Sequence, residues 1–247
     1  NESQFSLARG TRQGCQLSPL LFSLVIEPLA EGVCRSGEVR GIHFGDEEHK
    51  IMLYADDVML TLLDPERSLP ALKQLLNQFE AISGYKINLS KSDILSLTLP
   101  SDKLERFPSL SPLRLAQGLV RYLSVHITPD LSDLYAANYI PLLASLRGDM
   151  HRCRSLHLSW IGKVHTLKMN ILPSFHYLFY ALPIILPESF FKTLKSLVLE
   201  FLWGSGCARV AYRILTRPRC EGGVGLPDFK SYYRAAQLGV ITEWSSR

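Results

Sequence analysis

Cysteine is scarce and unpatterned in this chain. There are five, at positions 15, 34, 153, 207 and 220, an odd number with no CxxC pair. That argues against a disulfide framework or a zinc ribbon and suits reduced thiols in an intracellular protein. His151, Cys153 and His157 lie close together, but a fourth ligand at a zinc-like spacing is missing. Low-complexity tracts and internal repeats are absent. The longest uncharged run, 171–187, is interrupted by Pro173, Pro183 and Pro187, so no membrane-spanning helix is expected. The chain opens on polar residues without an apolar run, so no signal peptide is expected either. Acidic residues are short in one half only. Residues 131–247 carry 7 Asp/Glu against 14 Lys/Arg, a net charge of +7, whereas residues 1–130 carry 16 against 13, a net of −3. The basic half suits a polyanionic partner.

What remains is globular in composition: 247 residues, 47% hydrophobic and 20% charged, with ten tyrosines and eleven phenylalanines. That length allows one large domain or two ordinary ones, with ample core. The most informative stretch is 49–63, HKIMLYADDVMLTLL. Two apolar runs of strand length, Ile51–Tyr54 and Val58–Leu63, flank Ala55-Asp56-Asp57 and predict a buried β-hairpin with two carboxylates at its tip. Neighbouring residues on a regular strand face opposite ways, so only a turn lets adjacent aspartates serve one place. There they repel unless a cation lies between them. Hard oxygen ligands on a rigid hairpin suit Mg²⁺ shared with substrate phosphates. The plainer alternative is a solvated Asp-Asp turn.

Along the chain, Phe5–Leu7 reads as the end of a strand and Gly10–Gly14 as a turn. Ser18 is expected to cap a helix over Pro19–Cys34 that turns Leu20, Leu24, Ile26 and Leu29 to a core and kinks at Pro28. Strands are expected at Val39–Phe44 and Lys50–Tyr54 around an acidic loop, Gly45–Glu48. Leu69, Leu72, Leu75, Leu76, Phe79 and Ile82 recur at helical spacing, and Gly84 suits the helix end. Short strands are expected at Lys86–Leu89, Ile94–Leu97 and Val120–Ile127, with a loop or weak helix over Pro100–Pro112. From about Ser132 the pattern is helical: Asn138–Arg152, His165–Leu172, Pro187–Trp203 and Tyr232–Trp244, divided by Ser159–Gly162, by prolines and by a three-glycine loop within Cys220–Leu226. Charge and periodicity both change near 130, which divides the chain into 1–130 and 131–247.

Four stretches carry a family resemblance. Residues 12–22, RQGCQLSPLLF, are similar to the QGxxxSPxLF segment of reverse transcriptases, and Tyr54-Ala55-Asp56-Asp57 matches their YADD box. Residues 83–92, SGYKINLSKS, resemble the following GxKxNxxKS segment, and Arg121-Tyr122-Leu123 resembles the start of the primer-grip strand. Ser159–Lys163, Ala181–Ile184, Phe201–Trp203 and Gly222–Phe229 extend the likeness, over nearly the whole chain, to LINE-type (non-LTR) retrotransposon reverse transcriptases.

The resemblance implies an α+β fold. Residues 1–130 would form a partial right-hand polymerase palm, an antiparallel sheet with helices on one face, and 131–247 a mostly α-helical thumb-like region and extension. It implies RNA-directed DNA polymerisation by two Mg²⁺ ions, held by Asp56 and Asp57, with Lys91 near the leaving phosphates. Gln13, Gly14, Tyr54 and Ala55 would line the nucleotide and template pocket. Tyr122, Leu123, Lys163 and Lys168 would contact primer or duplex, with Trp160 on the same face. Ser124 departs from the family's usual glycine. Partners would be an RNA template, a DNA primer and deoxynucleoside triphosphates, acting at nuclear DNA. The family also needs an upstream aspartate and fingers from the same polyprotein. Among residues 1–11 the only acid is Glu2, so the chain alone is expected to be inactive. The alternative is a non-catalytic nucleic-acid-binding remnant.

Overall fold

A computed structural model describes residues 14–98, 113–154, 156–204 and 206–245. The chain is mixed α+β and divides into two compact units, 1–117 and 118–247. Phe5–Leu7, Gly10–Gln13 and all of Pro100–Pro112 lie outside the described residues.

In the first unit, α1 (Ser18–Arg35) and α2 (Pro65–Ser83) enclose a small core of Leu29, Val33, Val39, Ala71 and Leu72. α1 starts with Ser18 inside the helix and Pro19 in its first turn; Leu17 takes the N-cap position and makes no side-chain cap, so Ser18 is not the cap expected. Leu29 is buried and Ile26 packs against the core, but Leu20 and Leu24 are 63% and 70% exposed. α2 follows expectation in its apolar stripe, except that Ile82 is solvent-exposed. It ends where Gly84, at φ 72°, turns left-handed and donates to the Glu80 carbonyl at 2.8 Å.

β1 (Ile42–Phe44) pairs with β2 (Glu47–His49), so Glu47 and Glu48 stand in a strand and only Gly45-Asp46 turn. Gly41 is required, because a Cβ there would lie 2.1 Å from the His49 carbonyl oxygen. β3 (Ile51–Tyr54) pairs with β4 (Asp57–Leu60). Lys50, between the two hairpins, is the connector. Its ammonium donates to the Cys34 and Ser36 carbonyls at 3.0 and 2.8 Å and pairs with Glu48 at 3.3 Å. A cation is thereby set at the C-terminal end of α1, where the helix dipole favours it. Lys86–Leu89 forms no strand. In place of a strand over Ile94–Leu97, β5 (Asp93–Ile94) pairs in parallel with β6 (Arg114–Leu115), pinned by an Arg114–Asp93 fork of 2.8 and 3.1 Å. The described strands thus form four two-stranded pairs rather than one antiparallel sheet.

The second unit opens with a hairpin, not the single strand expected over Val120–Ile127. β7 (Val120–Tyr122) and β8 (Val125–Ile127) turn back through Leu123 and Ser124 at φ 45° and 65°. Asn138, on α3 (Leu134–Arg154), accepts from the His126 N–H at 2.8 Å and donates to the His126 carbonyl at 2.8 Å. One amide side chain thus serves β8 as a strand partner would. Ser159 caps α4 (Trp160–Thr166), accepting from Gly162 N–H at 3.1 Å.

Pro173 does not divide this helix from the next. A π-helical segment, Leu167–Ile171, runs into α5 (Leu172–Ala181), and Leu172 N–H reaches back five residues to the Leu167 carbonyl. The wider turn accommodates a residue that has no N–H to give. α6 (Glu188–Trp203), α7 (Tyr212–Leu215) and α8 (Phe229–Ser245) complete the unit. Its core is aromatic: Tyr139, Phe175, Phe179, Phe190 and Phe229 meet at centroid distances of 5.4–6.2 Å. Burial pushes the Tyr139 phenol well above its usual pKa, and its hydroxyl donates to the Leu178 carbonyl at 3.1 Å.

Candidate polymerase site

The β3–β4 register places Tyr54 opposite Asp57 and leaves Ala55-Asp56 as a two-residue turn. Such turns need positive φ at the first position, which glycine supplies without cost. Here Ala55 takes φ 51°, a conformation that disfavours a Cβ by about 1–2 kcal/mol. Strain of this kind persists where the surroundings fix it, and it clusters at functional sites. The hairpin is anchored on one face only, through Ile51 and Leu60 against the core. Tyr54, Ala55, Asp56, Asp57 and Val58 are exposed, so the hairpin is not buried as expected. Both carboxylates reach solvent at the tip. Two hard carboxylates side by side suit Mg²⁺, which takes one or two carboxylates with substrate phosphates and water. Among the described residues no third His, Cys, Asp or Glu groups with them. They fit the ion as part of a ligand set.

Gly14 takes φ 84° with open space around its Cα and leads into α1 through Cys15, whose carbonyl accepts from Ser18 N–H at 3.2 Å. Hydrogen bonding from the Leu17 N–H, then from Ser18, lowers the Cys15 thiol pKa. Gln13 lies outside the described residues. Lys91 is exposed in a turn where its N–H donates to the Asn88 carbonyl at 3.1 Å.

The remaining candidates belong to the second unit. Tyr122 ends β7, and the Leu123 carbonyl accepts from the Tyr177 hydroxyl of α5, which fastens the hairpin tip to that helix. Lys163 is turned inward: its ammonium donates to the Leu202 carbonyl at 3.2 Å and lies 5.8 Å from the Phe201 ring centre. Lys168 stands in the π segment, close to Gly225, where a Cβ would come within 3.0 Å of its ammonium. Trp160 packs on Trp203 at 5.7 Å.

Three positioning devices had no signal in periodicity: Lys50, Asn138, and a 3.1 Å contact between the Arg219 guanidinium and His165 Nε2. Each includes a polar contact between residues at least 12 apart in sequence. Among the described residues no helix is long and apolar enough to cross a membrane.

Comparison with known proteins agrees with the family resemblance. The family model described as reverse transcriptase (RNA-dependent DNA polymerase) matches residues 1–127. The transposon TX1 uncharacterized 149 kDa protein of Xenopus laevis is 27% identical over 97% of this chain, which spans 18% of that protein. The retrovirus-related Pol polyprotein from the type-1 retrotransposable element R2 of Popillia japonica is 32% identical over 37% of the chain, or 12% of its own length. The chain therefore spans less than a fifth of either relative. With the reverse transcriptase match covering half of its residues and both relatives coming from non-LTR elements, the chain belongs to the reverse transcriptase family, of the LINE type.

Proposed function

We propose that residues 1–117 supply the aspartate-turn part of the active site of an RNA-directed DNA polymerase. In this reading 118–247 carry the primer hairpin and the helical surface that follows the template–primer duplex. The observation that carries this is the strained turn at Ala55, which presents Asp56 and Asp57 together at an exposed tip within the family match. Asp56 and Asp57 would hold Mg²⁺. Held there, Mg²⁺ would supply Lewis-acid chemistry to the primer 3′-hydroxyl and to the charge on the leaving pyrophosphate. The small Ala55 side chain leaves room for the primer end, and Tyr54 with Gln13 and Gly14 would border the incoming nucleotide and template base. Lys91, with its exposed ammonium, would stabilise charge on the leaving phosphates. Tyr122 and Leu123 would support the primer backbone. Lys163 and Lys168 would serve the duplex, Lys163 with the donors that the Leu202 carbonyl leaves over. RNA template, DNA primer and deoxynucleoside triphosphates are the partners this reading requires, and nuclear DNA is the place of action the family implies.

Among the described residues no third carboxylate groups with the two at the tip, so the chain is expected not to extend a primer alone. Primer extension on an RNA template tests this. The chain alone should give no product, and the chain joined to the upstream polymerase segment of a related element should give Mg²⁺-dependent product. No product from a folded, duplex-binding fusion would overturn the catalytic reading. A second reading, duplex binding without catalysis, is favoured by the net +7 of residues 131–247.

A further inference from the structure

The segment 209–219 carries Arg209, Arg213, Arg217 and Arg219 and no acid. None of the four forms an ion pair with a carboxylate among the described residues, whereas Arg114 and Lys230 each do. Beside this segment lies a groove of about 400 Å³ lined by Trp160, Ile161, Val164, His165, Arg219 and the Gly223-Val224 backbone. The three-glycine loop shapes its rim. Gly222 and Gly225 take φ 78° and 63°, and at Gly223 a Cβ would lie 2.1 Å from the Arg217 carbonyl oxygen. Only glycine lets the loop fold back on Arg217 so closely. The same fold-back brings Gly225 against the Lys168 ammonium.

His165 aims the guanidinium. With Nε2 only 3.1 Å from an Arg219 nitrogen, a neutral imidazole accepts a hydrogen bond there, and the rest of the fork remains free. An aimed arginine without a carboxylate partner, over an apolar groove, is suited to phosphate oxygens. A nucleotide triphosphate fits less well than a polymer. The Gly222, Gly223 and Gly225 N–H groups already donate to the Arg219, Pro218 and Arg217 carbonyls, so they leave no backbone cradle. Of the four arginines only Arg219 lines the groove, too little positive charge for a triphosphate.

We propose that the groove between α4 and the 216–225 loop seats a phosphodiester of a bound nucleic-acid backbone, with Arg219 as its ligand and His165 as the residue that positions Arg219. This rests on the reading that the chain binds nucleic acid, and it adds a subsite outside both hairpin tips.

The test is a fluorescence-anisotropy titration of the full 247-residue chain with a labelled RNA–DNA duplex across about 50 to 200 mM salt. Arg219→Gln should weaken binding about tenfold at low salt and reduce the salt slope by about one, equally for unrelated duplex sequences. His165→Ala should lose affinity without losing that full unit of slope, since the guanidinium charge remains. Arg35→Gln removes one charge from an exposed pair with Glu31 in the first unit, and should leave both quantities unchanged. Circular dichroism melts identify any variant that fails to fold, and Arg219→Lys then serves instead: it should keep the slope and lose affinity. Wild-type affinity and slope in folded Arg219→Gln would overturn the subsite while leaving nucleic-acid binding intact. No binding by wild type at low salt would overturn both. Displacement of the duplex by a deoxynucleoside triphosphate, lost in Arg219→Gln, would reassign the groove to nucleotide and refute the polymer.

Discussion

Ala55, Leu123 and Ser124 are the residues other than glycine that hold positive φ among those described, and all three sit in two-residue hairpin turns. Primed turns match the twist of their strands only with such dihedrals, so the local cost is set by topology and not by side-chain contacts. At Ser124 that cost is avoidable. The position is exposed and carries only a long 3.5 Å contact to Arg121, so Ser124→Gly should stabilise the second unit by about 1 kcal/mol, read as a higher urea midpoint at unchanged slope. A lower midpoint would mean that the Ser124 side chain holds the turn. Lys50 is the opposite case. Only 8% exposed, it serves two carbonyls at the end of α1, and Lys50→Met should cost the first unit about 2–3 kcal/mol through their lost charged donor.

At the scale of elements, β2 is tied to the chain before β1 by Glu48, whose carboxylate accepts from Gly41 N–H at 2.8 Å. That hydrogen bond, and then Lys50, holds the Glu48 pKa below the usual glutamate value. A carboxylate depressed in the folded state contributes stability above its unfolded pKa and loses it as pH falls through the folded one. The urea midpoint of the first unit should therefore drop as pH falls below about 4.3, and the drop should be smaller in Glu48→Gln. An identical acid response in the variant would assign the effect elsewhere.

Helices were the readable elements. The stripes of α2, α6 and α8 follow a 3.6-residue period that needs no knowledge of neighbours. Strands of two to four residues offer too few alternations, so Lys86–Leu89 carries an extended pattern without pairing and the β7–β8 turn, made of Leu-Ser without glycine, leaves no turn signal. Pro173 misled for a different reason. A proline stops a helix only while the hydrogen bonds stay i to i+4, and the π segment changes that spacing. The Asp56-Asp57 tip was legible because a turn between two apolar runs is a local pattern. Its exposure was not, because the burial of Met52 and Val58 depends on what covers them.

Across the whole molecule, charge separates as the fold does: net −3 over 1–130 and net +7 over 131–247. The acidic hairpin and the unpaired arginines fall in different units, which fits a division between metal holding and backbone binding. Such an arrangement predicts that duplex affinity and chemistry can be lost independently. Salt should remove the first, because each neutralised phosphate releases counterions. Loss of a single aspartate should remove the second.

The central claim, that the Asp56-Asp57 turn is the metal-holding part of a polymerase site, is tested most directly by Asp56→Asn in the fusion that completes the upstream segment. Primer extension on RNA and duplex affinity are measured side by side. The account predicts a fall in extension rate of about a hundredfold or more, since a lost metal ligand removes several kcal/mol of transition-state stabilisation, with duplex affinity within about twofold. Extension by Asp56→Asn at the rate of its parent, with the same Mg²⁺ dependence, would contradict it.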